Sequence, residues 1–167
     1  MIKVRIIALG KLKEKYWRDA VDEYTKRLSG YSDFEIVELT PQKLPENPSD
    51  ALIEAALKKE AEQIIKMIPK GSAVVPMCIE GKQLDSEALS GYIDKTVLTG
   101  QNSITFIIGS SFGLHSDIKR LGGLKLSMSP MTFPHQLARV MLCEQIYRAF
   151  KIKEGSAYHK QTRIIRT

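Results

Sequence analysis

Cysteine is scarce in this chain. Cys78 and Cys143 are the only two in 167 residues, and they form no CxxC pair. Neither a disulfide framework nor a thiolate zinc site is expected, and a reducing cytoplasm is the expected setting. The three histidines, His115, His135 and His159, are too scattered to make a metal centre, so none is expected. No apolar run approaches membrane-spanning length. The opening MIKVRIIALGK does not read as a secretory signal, because Lys3 and Arg5 interrupt it and no small-residue cleavage site follows. Neither GxGxxG nor a Walker A loop occurs, which argues against a dinucleotide fold and a P-loop NTPase. Internal repeats, low-complexity segments and linkers are missing too, so one domain is expected.

What is present is a globular composition, 43% hydrophobic and 26% charged. Apolar strands alternate with helical periodicity. Residues 2–9, 34–40, 72–80, 103–110 and 124–128 read as strands. Residues 13–29, a stretch from Ser49 or Asp50 to Ile68, 85–98, a short piece at 115–121, and 135–153 read as helices. Strand–helix alternation predicts an α/β domain with a mainly parallel sheet flanked by helices. Pro76 inside the third strand is unusual, because proline cannot donate to a ladder and belongs at an edge or a bend. In such sheets ligands sit beyond the carboxyl ends of strands. Three loops fall there: 77–82, 109–115 and 129–134.

The net charge is +6 and the pI near 9.3. Most of the excess lies between residues 139 and 167. Arg139, Arg148, Lys151, Lys153, Lys160, Arg163 and Arg166 stand there against only Glu144 and Glu154. That concentration suggests a footprint for phosphate rather than a merely solvated end.

In the loop IIGSSFGLHSD, residues 107–117, Gly109 and Gly113 stand between a strand and a helix; taken alone this is an ordinary turn. SMSPMTFPH, residues 127–135, is more particular. Pro130 and Pro134 restrict their own backbone and that of Ser129 and Phe133. The groups between them are held extended and are unlikely candidates for helix or sheet bonds. The pattern fits a backbone clamp on a flat heterocycle such as adenine, with Met128, Met131 and Phe133 as apolar walls. It fits a rigid connector equally well. The last helix is apolar nearly all round, so it needs two apolar partners. The sheet is one, and a second copy of the chain across a two-fold axis is the simplest other.

Several motifs carry a family resemblance: GKLKEKYW at 10–17, IEGK at 79–82, FIIGSSFGL at 106–114, MTFPHQLARVMLCEQIYRAFKI at 131–152 and AYHK at 157–160. Over residues 1–160 the chain resembles the RlmH family, SPOUT-class methyltransferases of pseudouridine in 23S rRNA. The resemblance implies a knotted SPOUT-type domain with a deep C-terminal trefoil knot. It further implies a metal-free homodimer that uses S-adenosyl-L-methionine to methylate N3 of pseudouridine in the assembled ribosome, with no membrane and no DNA among its partners. Residues 161–167 are then an extension of unknown role. The family's cofactor contacts fall on Met77, Gly109, Met128, Ser129, Pro130, Met131, Thr132 and Phe133. Ser110 departs from the family pattern, in which a second glycine commonly follows the strand.

Such a reaction is an in-line displacement at a sulfonium methyl by an imide nitrogen that is a poor nucleophile while protonated. The site must align the reactants and favour the deprotonated imide. Tyr158, His159, Arg139 and Glu144 are the catalytic candidates. Arg148, Lys151, Lys153 and Lys160 are the candidates for RNA. The resemblance raises His159, because the family's tail reaches the partner's cofactor pocket. Glu144 and Arg148 read equally well as a surface i, i+4 pair. His135 reads as a helix start, and Lys11, Lys13 and Lys15 as a solvated one. Two readings from other classes stand beside the enzyme: a non-catalytic ribosome- or RNA-binding protein, and a flavodoxin-like nucleotide-binding module.

Overall fold

The computed structural model describes residues 1–159. Five strands, β1 (Lys3–Leu9), β2 (Asp33–Leu39), β3 (Ala73–Gln83), β4 (Ser103–Ile108) and β5 (Leu126–Ser127), form one parallel sheet in the order β2-β1-β4-β3-β5. Among the described residues the sheet is accompanied by the helices α1 (Lys15–Leu28), α2 (Asp50–Met67), α3 (Ser86–Leu98), α4 (Ser116–Lys119) and α5 (His135–Glu154). None is long and apolar enough to cross a membrane.

The central strands show why the sheet needs cover on both faces. Val4, Ile6 and Ala8 of β1 and Ile104, Phe106 and Ile108 of β4 pack toward α1, α3 and α5. Ile7, Leu9 and Ile107, at the alternate positions, pack toward α2 and α4. The period of two thus feeds two cores, one on each side. Arg5 is absorbed into this scheme. It pairs with Glu35, its register neighbour on β2, and donates to the Met67 carbonyl at the end of α2.

Sequence boundaries hold closely for the helices, where caps mark them. Ser49 Oγ accepts from the Leu52 amide, and Asp85 Oδ1 accepts from that of Ala88. The fifth strand is shorter than expected. Only Leu126 and Ser127 pair, because the β3 ladder shifts register between Met77 and Lys82, both of which lie opposite Leu126. Pro76 sits in an interior strand, at the last pair β3 makes with β4, opposite Ile107. Beyond it β3 turns to β5, so its missing donor falls at a bend.

The apolar girth of α5 has a source within the chain. The helix lies between α1 and α3 above the sheet, with Leu142, Cys143, Ile146, Ala149 and Phe150 buried. Leu137, Val140, Met141, Tyr147 and Ile152 remain half-buried. The second partner expected from the sequence is therefore met in part by neighbouring helices.

Candidate functional site

Because every strand is parallel, the loops after β1, β2, β3, β4 and β5 leave from one edge of the sheet. The loops after β4 and β5, with the outer half of β3, enclose a cavity of about 400 Å³. Its walls are Met77 to Glu80 of β3, Ile108 to Leu114 at the end of β4 and in the turn after it, and Leu126 to Ser129 with Met131 to Phe133 from β5 and the loop that follows. The segment 77–82, expected to be a loop, is strand instead, because β3 runs on past Pro76 to pair with β5. His135 and Ala138 of α5 close one side and Lys119 of α4 another. Of the positions expected to hold the cofactor, Met77, Gly109, Met128, Ser129, Met131, Thr132 and Phe133 line this space. Pro130 does not.

The walls are tightly built. A Cβ on Gly109 would stand 2.4 Å from the Gly113 carbonyl oxygen, so the backbone there has room for glycine alone. The Gly113 amide donates to the Ser110 carbonyl at 2.8 Å, and Gly113 takes φ +85°, closing the turn. In the proline loop Ser129 Oγ accepts from the Met131 amide at 3.0 Å, and the Ser129 carbonyl accepts from Ser127 Oγ. Some of that loop's polar groups are thus engaged locally, by side chains rather than by helix or sheet. Among the described residues, the amides of Thr132 and Phe133 find no acceptor. Lys119 pairs with Glu80 at the rim. Ile79, Phe112 and Met131 leave apolar surface exposed around the mouth. Desolvation at the wall, and then the charge of Arg139, hold the His135 pKa below its ordinary value.

A second group of expected residues gathers on α5. Gly155 takes φ +75° and ends the helix, with its amide donating to the Ile152 carbonyl and that of Ser156 to Lys151. The chain then doubles back along its own helix. Tyr158 donates to Glu144 Oε1 at 3.0 Å, and Arg148 donates to the same carboxylate from Nη2 at 2.7 Å. The Arg148 guanidinium lies 4.7 Å over the Tyr158 ring. Arg148 Nη1 donates to His159 Nδ1 at 3.4 Å, and His159 Nε2 stands 3.5 Å from Glu87. Burial, and then the Glu144 charge, push the Tyr158 pKa up, so its hydroxyl stays a donor at neutral pH.

This cluster contributes nothing to the cavity of its own chain. From Ala138 to Glu144 the helix advances about 9 Å and turns to another face. Arg139, expected among the catalytic residues, is 3% exposed and stands apart from both groups; it donates to Glu38 and to the Gly10 carbonyl. The cations expected to meet RNA are engaged within the chain: Arg148 with Glu144, Lys151 with Glu154 and the Tyr31 hydroxyl, and Lys153 with Asp94. Lys160 lies outside the described residues. Among those described, no group of three or more His, Cys, Asp or Glu side chains is disposed to hold a metal ion.

The sequence reading missed a set of residues on α2. Glu60 is 4% exposed and accepts from Ser110 Oγ. Glu54 lies 2.6 Å from Nε2 of His115, itself 5% exposed. Ser110 standing where a glycine is usual was the one local hint, since a hydroxyl at that turn needs a partner. A family model described as a predicted SPOUT methyltransferase matches residues 2–159.

Proposed function

The chain belongs to the SPOUT methyltransferase family, and from that premise we propose that it methylates N3 of pseudouridine in 23S rRNA of the assembled ribosome, acting as a homodimer in the cytoplasm. S-adenosyl-L-methionine is the methyl donor of the family. The observation that carries the reading is the cavity where β3 and the loops after β4 and β5 meet.

The cavity suits the donor. Its volume is within the range of small-molecule sites, about 300–1,000 Å³. The Gly109 turn brings backbone against the space, the Thr132 and Phe133 amides have no backbone acceptor among the described residues, and Met77 and Met128 supply soft apolar walls. Bound there, the cofactor supplies an electrophilic methyl on a positive sulfur. The remaining work falls to side chains of this protein. Arg148 offers a fixed cation that favours a deprotonated imide. Glu144 holds Arg148 and Tyr158 in place. His159 can take the imide proton on Nδ1 once that nitrogen exchanges its contact with Arg148 for the substrate. Each is oriented by another, as such work requires.

Cavity and cluster lie on different parts of one chain, which supports a dimer in which the tail of one copy serves the cavity of the other. The exposed apolar rim of Ile79, Phe112 and Met131 supports it too. The return of the chain from β5, at the sheet's edge, to α5 between α1 and α3 is the segment we propose to be threaded as a trefoil knot. Family membership favours an enzyme over a non-catalytic RNA-binding protein or a flavodoxin-like module.

The deciding experiment is transfer of labelled methyl to ribosomes from a strain lacking this modification, with the product mapped to the base. Methylation at pseudouridine N3 of 23S rRNA, and little on short naked RNA, is expected. Methylation elsewhere, or none, overturns the proposal.

A further inference from the structure

Glu60 lies on α2 and lines no part of the cavity, yet it is nearly enclosed. A buried carboxylate persists only with partners. Glu60 has one on each oxygen, drawn from two different loops. Ser110 Oγ donates to Oε1 at 2.8 Å, and the Gln42 amide donates to Oε2 at 2.8 Å. Ser110 opens the turn that lines the cavity; Gln42 belongs to the proline-rich loop between β2 and α2. Earlier on the same helix, Glu54 meets His115 Nε2, while His115 Nδ1 accepts from the Asp117 amide at 3.0 Å. That acceptor role leaves the imidazole proton on Nε2, facing Glu54. The 109–115 segment is therefore held at both ends from one helix.

We propose that Glu60 is a positioning residue for the cofactor turn, acting through Ser110, and that it ties this turn to the proline-rich loop through Gln42. Ser110 is held from two sides: its side chain by Glu60 and its carbonyl by the Gly113 amide. The peptide groups between cannot rotate without breaking one of them. A glycine at 110 could not make the first bond, so this chain anchors by a side chain what two glycines would leave free. The inference rests on the methyltransferase reading for the ligand's identity but not for the link itself.

The test is amide hydrogen exchange in the ligand-free protein, followed by titration with S-adenosylhomocysteine. Ser110→Ala, Ser110→Gly and Glu60→Ala should each speed Gly113 exchange about tenfold or more, the loss expected of a hydrogen bond to a charged acceptor. The double variant should be no faster than Glu60→Ala alone, since both changes break one bond. Gln42 exchange should rise in Glu60→Ala and stay unchanged in Ser110→Ala. Affinity for S-adenosylhomocysteine should fall about tenfold in the Ser110 variants, which keep the bond from the Gln42 amide to Glu60, with wild-type circular dichroism as the check on folding. Unchanged Gly113 exchange in Ser110→Ala, or additive effects in the double variant, overturns the link. If exchange follows the expected pattern but affinity is unaltered, the positioning role is overturned. No binding by the wild type, with the exchange pattern intact, removes the cofactor assignment and leaves the link standing.

Discussion

Tyr158 donates its hydroxyl to Glu144 Oε1 at 3.0 Å, folding the chain back over a separation of 14 residues. The contact fixes the tail against α5 and leaves His159 beside Arg148. Tyr158→Phe removes a hydrogen bond to a charged acceptor, worth about 1.5–3 kcal/mol. Turnover on ribosomes should fall about ten- to a hundredfold, with S-adenosylhomocysteine affinity within about twofold of wild type. Truncation after Glu154 should repeat the pattern more severely. Full activity in the truncated chain would remove both Tyr158 and His159 from the chemistry.

Gly109→Ala forces a methyl group toward the Gly113 carbonyl. Overpacking of this kind costs about 1–3 kcal/mol. Since the neighbouring atoms are backbone, the turn itself must shift. Calorimetry should show cofactor binding weakened about ten- to a hundredfold, while the far-ultraviolet circular dichroism stays that of the wild type.

Those two variants also examine the shared site. Each homodimer should keep no more than about a tenth of wild-type activity at low cofactor concentration, but a mixed dimer of Gly109→Ala and Tyr158→Phe chains holds one cavity and one tail that are both intact. Random mixing gives about half mixed dimers with one good site each, hence about a quarter of wild-type activity. Recovery no greater than the sum of the two homodimers would place cavity and tail in the same chain. Light scattering should give a dimer at micromolar concentration.

The cysteines make a chemical probe of the cavity. Cys78 is half-buried in its wall, and its pKa is raised by desolvation and then by Glu80. Alkylation should be slow at neutral pH, quicken as pH rises, and slow again when S-adenosylhomocysteine is added. Mass spectrometry of tryptic peptides reads this directly. Equal labelling with and without the ligand would put the ligand elsewhere.

Cys143 is fully enclosed, and burial pushes its thiol up from 9.0 to about 12. Between those values the unfolded chain releases a proton that the folded chain keeps. Its contribution to stability is complete below pH 9 and is lost as pH rises through that window, at no more than about 1.4 kcal/mol per pH unit. Cys143→Ala should be less stable at pH 8 yet lose less on going to pH 10.5, as urea melts would show. Parallel losses in the two proteins would contradict it.

Period and punctuation made most of the architecture legible. β1 and β4 are continuous apolar runs because both faces are covered, and α2 and α3 begin at a serine and an aspartate that cap them. The cavity walls were legible because prolines and glycines cluster where strands end. Four things were out of reach. Pro76 looked misplaced until the register shift put a bend there. That α1 and α3 take up part of the girth of α5 was hidden, because a sequence does not say which helices flank it. The contacts of Lys151 with Tyr31 and of Lys153 with Asp94 join residues whose proximity only the fold creates. Glu60 carried no signal, since a lone glutamate in a polar helical stretch reads as solvent-facing.

The strand order has a consequence during synthesis. β4 lies between β1 and β3, so the sheet has no centre until residue 108 has left the ribosome. β1 and β2 can pair earlier, but β3 and its loop must wait for β4. The last wall of the cavity arrives later still, with the segment before α5. A chain interrupted anywhere short of that helix therefore lacks a wall of the cavity, whereas one that ends just after α5 has every wall in place.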